Sequence, residues 1–150
     1  MASGVAGMLF APIAGRISDR VGHLRVALAA GVGLLIVTLI YAFPLPSWAM
    51  LGLLVAIGPL FTTLATTIFP LAASGADEEG LGHGAAYALL GIGWSLGFVI
   101  GPPTAGAIAD AVGDSWGYAF SALVATGLLA LAAHAGQRSG ALGRRVPDRA

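Results

Sequence analysis

The chain has no cysteine, no lysine and no asparagine, and only 9% of its 150 residues are charged. Without cysteine there are no disulfides, no thiol nucleophile and no thiolate metal site. A soluble domain carries about 25% charged residues, so the chain cannot cover a water-facing surface in the ordinary way. Formal net charge is zero, seven Arg against seven Asp and Glu, which leaves no global field to attract DNA or RNA. There is no H-E-x-x-H pair and no Walker loop, so nothing supports metallohydrolase or ATPase chemistry. These absences exclude a soluble enzyme and a nucleic-acid-binding domain.

What is present is apolar. Hydrophobic residues make up 57% of the chain, and mean hydropathy is +0.89. A spanning helix needs about 20 mostly apolar residues. Four segments meet that need, approximately 26–43, 48–72, 85–109 and 117–135. A fifth, 2–15, would cover only about 21 Å before Arg16, roughly 9 Å short of the hydrocarbon core. The expectation is a chain that begins partway through a membrane helix. A signal peptide is the wrong description, because the arginines follow the apolar run instead of preceding it. Residues 1–136 are therefore expected to form a transmembrane bundle and 137–150 a basic tail.

Charge assigns the sides. Arg16, Arg20 and Arg25 follow the first segment, and Arg138, Arg144, Arg145 and Arg149 follow the last. The turns at 44–47 and 110–116 hold no Arg, so every basic residue falls on one side, the cytoplasmic one by the positive-inside rule. A loop at 73–84, carrying Asp77, Glu78 and Glu79, shares that side. Tyr41, Trp48, Trp116 and Tyr118 fall on the other, where an aromatic belt belongs. The expected layout has the N-terminus outside and the C-terminus in the cytoplasm. Absent Lys and Asn beside abundant Ala and Gly is the usage of a GC-rich bacterial genome, so the inner (plasma) membrane is expected.

Three constellations stand out. The first joins the first two segments: Gly15, Asp19, Arg20, Gly22 and Arg25. The glycines permit a tight turn, and Asp19 can accept hydrogen bonds from a helix N-terminus. A short cytoplasmic loop whose arginines only set topology would serve equally. The second lies in the fourth segment, where Gly93, Gly97 and Gly101 recur every four residues before Pro102, Pro103 and Gly106. Such a stripe lets another helix approach closely, and Pro102 removes the helix partner of the Phe98 carbonyl. Static close packing is the alternative. The third is Thr62, Thr63, Thr66 and Thr67, within roughly 140° of one helical face. They suit a hydroxyl-lined wall, or bond back to their own helix carbonyls. Tyr87 and Trp94 are further candidates for a passage. The second and fifth segments, apolar all round, are expected to face lipid over much of their surface.

The first constellation resembles the G-x-x-x-D-R-x-G-R-R-x signature of the major facilitator superfamily of secondary transporters. Gly15, Asp19, Arg20 and Gly22 match, Arg25 follows, and His23 and Leu24 replace the usual basic pair. The second resembles the G-x-x-x-G-P-x-x-G-G motif of that superfamily's drug–proton antiporters. Gly97, Gly101, Pro102 and Gly106 match, and Ala105 replaces one Gly. The run 87–106 looks like the eleventh helix of vesicular-amine-transporter-like members, with Gly91 where those carry an acidic residue. No charge occurs in 48–73, where the fourth helix of the first half often has an Arg, so helices eight to twelve match better.

The fold implied is an all-α integral membrane protein, the five-helix C-terminal part of a twelve-helix bundle with its first helix truncated. The function implied is alternating-access efflux of a small molecule, coupled to protons, with the lipid bilayer and a missing N-terminal half as partners. The Gly15–Arg25 segment would be a conformational switch and the tenth helix, with its threonines, a cavity wall. No cofactor, metal, catalytic residue or nucleic acid is expected, and the chain is not expected to be an enzyme. A sugar or metabolite carrier of the same superfamily and a small non-transporting five-helix partner protein are the alternatives. No acid lies mid-span, so a proton-coupling carboxylate would belong to the absent half.

Overall fold

The computed structural model describes residues 2–138. Five helices follow one another: α1 (Ala2–Val21), α2 (His23–Tyr41), α3 (Ser47–Glu78), α4 (His83–Val112) and α5 (Asp114–Arg138). Four of them, α2 to α5, are long and apolar enough to cross a membrane. No strand occurs among the described residues. An all-helical chain is what a bilayer allows, since no water there satisfies open backbone groups.

The helices outrun the apolar segments. α1 does not stop at Gly15 but continues through Arg16, Asp19 and Arg20 to Val21, so the expected loop is the last turns of a helix plus Gly22. Likewise α3 passes through the first half of the expected loop at 73–84, ending at Glu78. Polarity ends a membrane span without ending a helix; only a breaker does that. Gly80, at φ +66°, supplies the breaker for α3. Around it Leu81 N–H donates to the Ala76 carbonyl at 2.8 Å and Gly80 N–H to Asp77 at 3.3 Å, a Schellman ending. At 32 residues α3 is about 48 Å long and protrudes beyond the hydrocarbon.

α3 packs against α1, α2 and α4, while α5 packs against α2 and α4. The ring α2–α3–α4–α5 thus has α1 fixed to its outside, chiefly on α3. Close approach depends on small residues, the usual means where lipid is as apolar as the side chains. A Cβ on Gly7 of α1 would run into Thr62 and the Gly58 carbonyl of α3. Gly31 of α2 receives Leu129 of α5, and Gly117 of α5 lies against the Ala105 carbonyl of α4. α2 buries a narrow stripe of Val26, Ala27, Ala30, Gly31 and Val37 and leaves Val32, Ile36, Leu39 and Ile40 exposed, as expected of a helix that faces lipid over much of its surface. α4 buries none of its described residues.

Of the tail expected at 137–150, Arg138 ends α5, and 139–150 lie outside the described residues.

Candidate functional site

At the α1–α2 end, Gly22 alone connects two helices. Its φ of 104° and ψ of 135° form a conformation open in practice only to glycine. Gly22 N–H donates to the Ser18 carbonyl at 2.9 Å, and Val26 N–H donates to the Gly22 carbonyl at 3.2 Å, so both helices close on the same residue. The Ser18 hydroxyl, buried, meets Nδ1 of His23 across the turn. Arg16, Asp19 and Arg20 are exposed and Gly15 half-buried. Asp19 sits exposed in the last turn of α1, at the carbonyl end of the helix dipole.

The antiporter-like residues have a different setting. α4 runs unbroken through Pro102 and Pro103. A Cβ added at Gly93, Gly97, Gly101 or Gly106 would meet nothing within 4 Å. No helix among the described residues occupies the stripe.

The four threonines lie in the middle of α3, and Thr62 faces α1. Thr63 and Thr67 are buried, and Thr62 and Thr66 half-buried. Thr63 donates to the Pro59 carbonyl at 2.8 Å, a carbonyl whose usual donor is present and which thereby accepts a second bond. Thr66 donates to Thr63 at 3.0 Å, and Thr67 to Thr63 and Leu64 at 2.9 Å each. These three hydroxyls therefore bond back to their own helix, while Thr62 meets Gly7 of α1.

Tyr87 and Trp94 join an aromatic seam between α3 and α4. Phe61 meets Trp94 edge-on at 5.5 Å, and Phe69 meets Tyr87 at 5.9 Å. Trp94 also lines an apolar cavity of ≈ 530 Å³ with Ile68, Ala72, Leu89 and Leu90. The cavity lies toward the α3–α4 connection, where His83 Nε2 and Asp77 Oδ1 are 2.8 Å apart. Phe61, Phe69 and Phe98 escaped sequence reasoning because phenylalanine in an apolar helix is indistinguishable from lipid-facing bulk. At the opposite end Tyr41 and Tyr118 stack at 5.6 Å, and the Tyr41 hydroxyl donates to the Met50 carbonyl at 2.9 Å. Trp48 and Trp116 are largely exposed at that end. Every described acid, Asp19, Asp77, Glu78, Glu79, Asp110 and Asp114, lies at or near a helix end.

A short repeat is a further signal in the sequence, one that hydropathy and motif matching both pass over. The eleven residues from Pro12 to Gly22 recur from Pro103 to Gly113 with seven identities: Pro, Ala, Gly, Ile, Asp, Val and Gly. The structure matches the two copies. Gly113 has φ 103° and ψ 154°, joins α4 to α5 alone, and its N–H donates to Ala109 at 2.8 Å, as Gly22 does to Ser18. Asp110 occupies the last turn of α4 as Asp19 does that of α1.

A bundle of long apolar helices with charges at its ends, aromatics at one rim and intimate contacts through glycine defines a multi-pass membrane protein. A family model described as Major Facilitator Superfamily matches residues 1–146. The chain belongs to that superfamily, a family of membrane transporters. No curated protein and no solved structure shows significant similarity to it.

Proposed function

We propose that the chain forms helices eight to twelve of a twelve-helix transporter that exports a small molecule, coupled to protons, by alternating access. The observation carrying this reading is the state of α4. The helix with the antiporter-like residues Gly93, Gly97, Gly101, Pro102 and Gly106 has no buried residue in this bundle, and its glycine stripe is open. Small residues bring helices close only when a second helix is there. The helix that fills the stripe would come from the other half, and Gly101 would sit in the moving contact between halves. The α1–α2 hairpin would be the cytoplasmic switch, Asp19 docking its carboxylate on the start of a helix in that half.

The same scheme sets the sides. Arg16, Arg20, Arg25 and Arg138 gather at one end of the bundle, and Tyr41, Trp48, Trp116 and Tyr118 at the other. This supports an inner-membrane protein with that first end in the cytoplasm. The α3–α4 seam, with Tyr87, Trp94 and its ≈ 530 Å³ cavity, is the part of this chain best suited to an apolar substrate.

The test is accumulation of a panel of fluorescent lipophilic dyes in cells expressing the full-length gene product. Expression should lower accumulation, a protonophore should restore it, and Asp19→Asn should weaken the effect. Accumulation equal to that of control cells across the panel would overturn efflux. Lowered accumulation that ignores the protonophore would overturn proton coupling alone.

A further inference from the structure

We propose that Asp110 and Gly113 form a second conformational switch on the outer face, and that the carboxylates of Asp19 and Asp110 engage the other half of the transporter alternately. The inference rests on the transport reading above, and adds to it a site at the opposite end of the molecule.

The first support is the repeat. Pro12–Gly22 and Pro103–Gly113 share seven residues of eleven, and each ends a helix in the same way. In both, Asp stands three residues before a glycine at φ near +104°, and the next helix starts directly after it. The second support is placement. Three helices, α2, α3 and α4, separate the two copies, so their ends lie on opposite sides of the bundle. Nothing about setting topology requires the same turn on both faces.

What differs between copies separates two duties. Arg16 and Arg20 of the first are Ala107 and Ala111 in the second. The basic residues occur only where the positive-inside rule wants them. The residues held in common, Asp and its glycine turn, must then serve something both faces need.

The third support is electrostatic. Each carboxylate is exposed, in the last turn of its helix, at the negative pole of the helix dipole. Neither has a hydrogen-bond or ion-pair partner among the described residues. The same local rule is broken twice at equivalent positions, as happens where function outweighs local stability. The chemistry that suits such a carboxylate is the positive start of another helix. For Asp110 that is an outer helix start in the other half, reached when the outer side closes. Asp19 would find its counterpart when the cytoplasmic side closes.

The experiment reads accessibility, so it needs no known substrate. Ile13 and Thr104 are equivalent positions in the two copies, and the chain's lack of cysteine makes Ile13→Cys or Thr104→Cys a unique label site within it. In the full-length protein in membranes, an impermeant maleimide is applied from outside to the Thr104→Cys background and in inside-out vesicles to the Ile13→Cys background. Labelling is normalised to inserted protein. Asp110→Asn should raise labelling in the Thr104→Cys background by about threefold or more and lower it in the Ile13→Cys background. Asp19→Asn should do the reverse, and Asp110→Glu should keep the parent rates. Asp110→Ala, a second neutral variant, should match Asp110→Asn.

If Asp110→Asn and Asp110→Ala leave both rates within about twofold of the parent, there is no outer switch. If Asp110→Glu labels like Asp110→Asn, the carboxylate charge is not the agent and the proposal falls. An Asp110 effect without an Asp19 effect would keep the outer switch and overturn the cytoplasmic one.

Discussion

Individual residues here divide into those that fix backbone and those that fill space. Gly22 and Gly113 belong to the first kind, because φ above +100° is closed to a side chain with a Cβ. Nothing lies within 4 Å of a Cβ built at either, so strain alone is at stake. Gly22→Ala and Gly113→Ala should each cost about 1–3 kcal/mol, read as a lower melting temperature in detergent. A sequence shows that a glycine stands between two helices, but not that its neighbour Gly15 is an ordinary helical residue. The threonines make the same point. Their spacing showed one helix face, yet Thr62 is met by Gly7 of α1, and the other three hydroxyls bond back to α3. Thr67 is fully buried and retains its hydroxyl for its own carbonyls. Thr67→Val should therefore cost about 1 kcal/mol of stability and leave the dye-accumulation phenotype in place. Loss of substrate selectivity at normal stability would instead make Thr67 part of a passage.

At the scale of the helix, number and order were legible, because a run of about 20 apolar residues has few alternatives in a bilayer. Ends were less so. Hydropathy stops at Arg16 and at Ala72, whereas α1 and α3 run on to Val21 and Glu78, just before Gly22 and Gly80 turn the backbone. The partners of each helix were the least legible, since every face of α2 and α4 is apolar and the pattern carries no direction. Glycine separates the cases once the structure is known. Gly117 is wedged, its would-be Cβ 3.0 Å from the Ala105 carbonyl and 3.3 Å from the Ala109 Cβ. Gly101, one helix away, faces open space. Leucine at the two sites should give opposite phenotypes. Gly117→Leu should push α4 from α5 and lower stability by about 1–3 kcal/mol, measured by thermal melting. Gly101→Leu should insert and melt as the parent does but abolish efflux. Normal efflux by Gly101→Leu would remove α4 from the moving contact.

Across the whole molecule the ends differ in chemistry, and that difference predicts orientation independently of any motif. One end carries the described arginines with the α3–α4 connection; the other carries Tyr41 stacked on Tyr118, with Trp48 and Trp116 exposed beside them. Arginine is expensive to carry across a bilayer, so the arginine-rich end stays where synthesis leaves it. Amphipathic rings prefer the headgroup level and hold the opposite rim there. The turn after α2 should thus lie outside and the connection after α3 inside. Alkaline phosphatase fused after Leu45 should be active and the same enzyme fused after Gly80 inactive, with a green fluorescent reporter giving the mirror-image result. The inverted pattern would place Asp19 outside and Asp110 inside. Both switch hairpins would then exchange faces together, because the repeat ties them to opposite ends whichever way the bundle is inserted. Orientation and the two-switch arrangement are therefore separable, and the fusion experiment decides the first without prejudging the second.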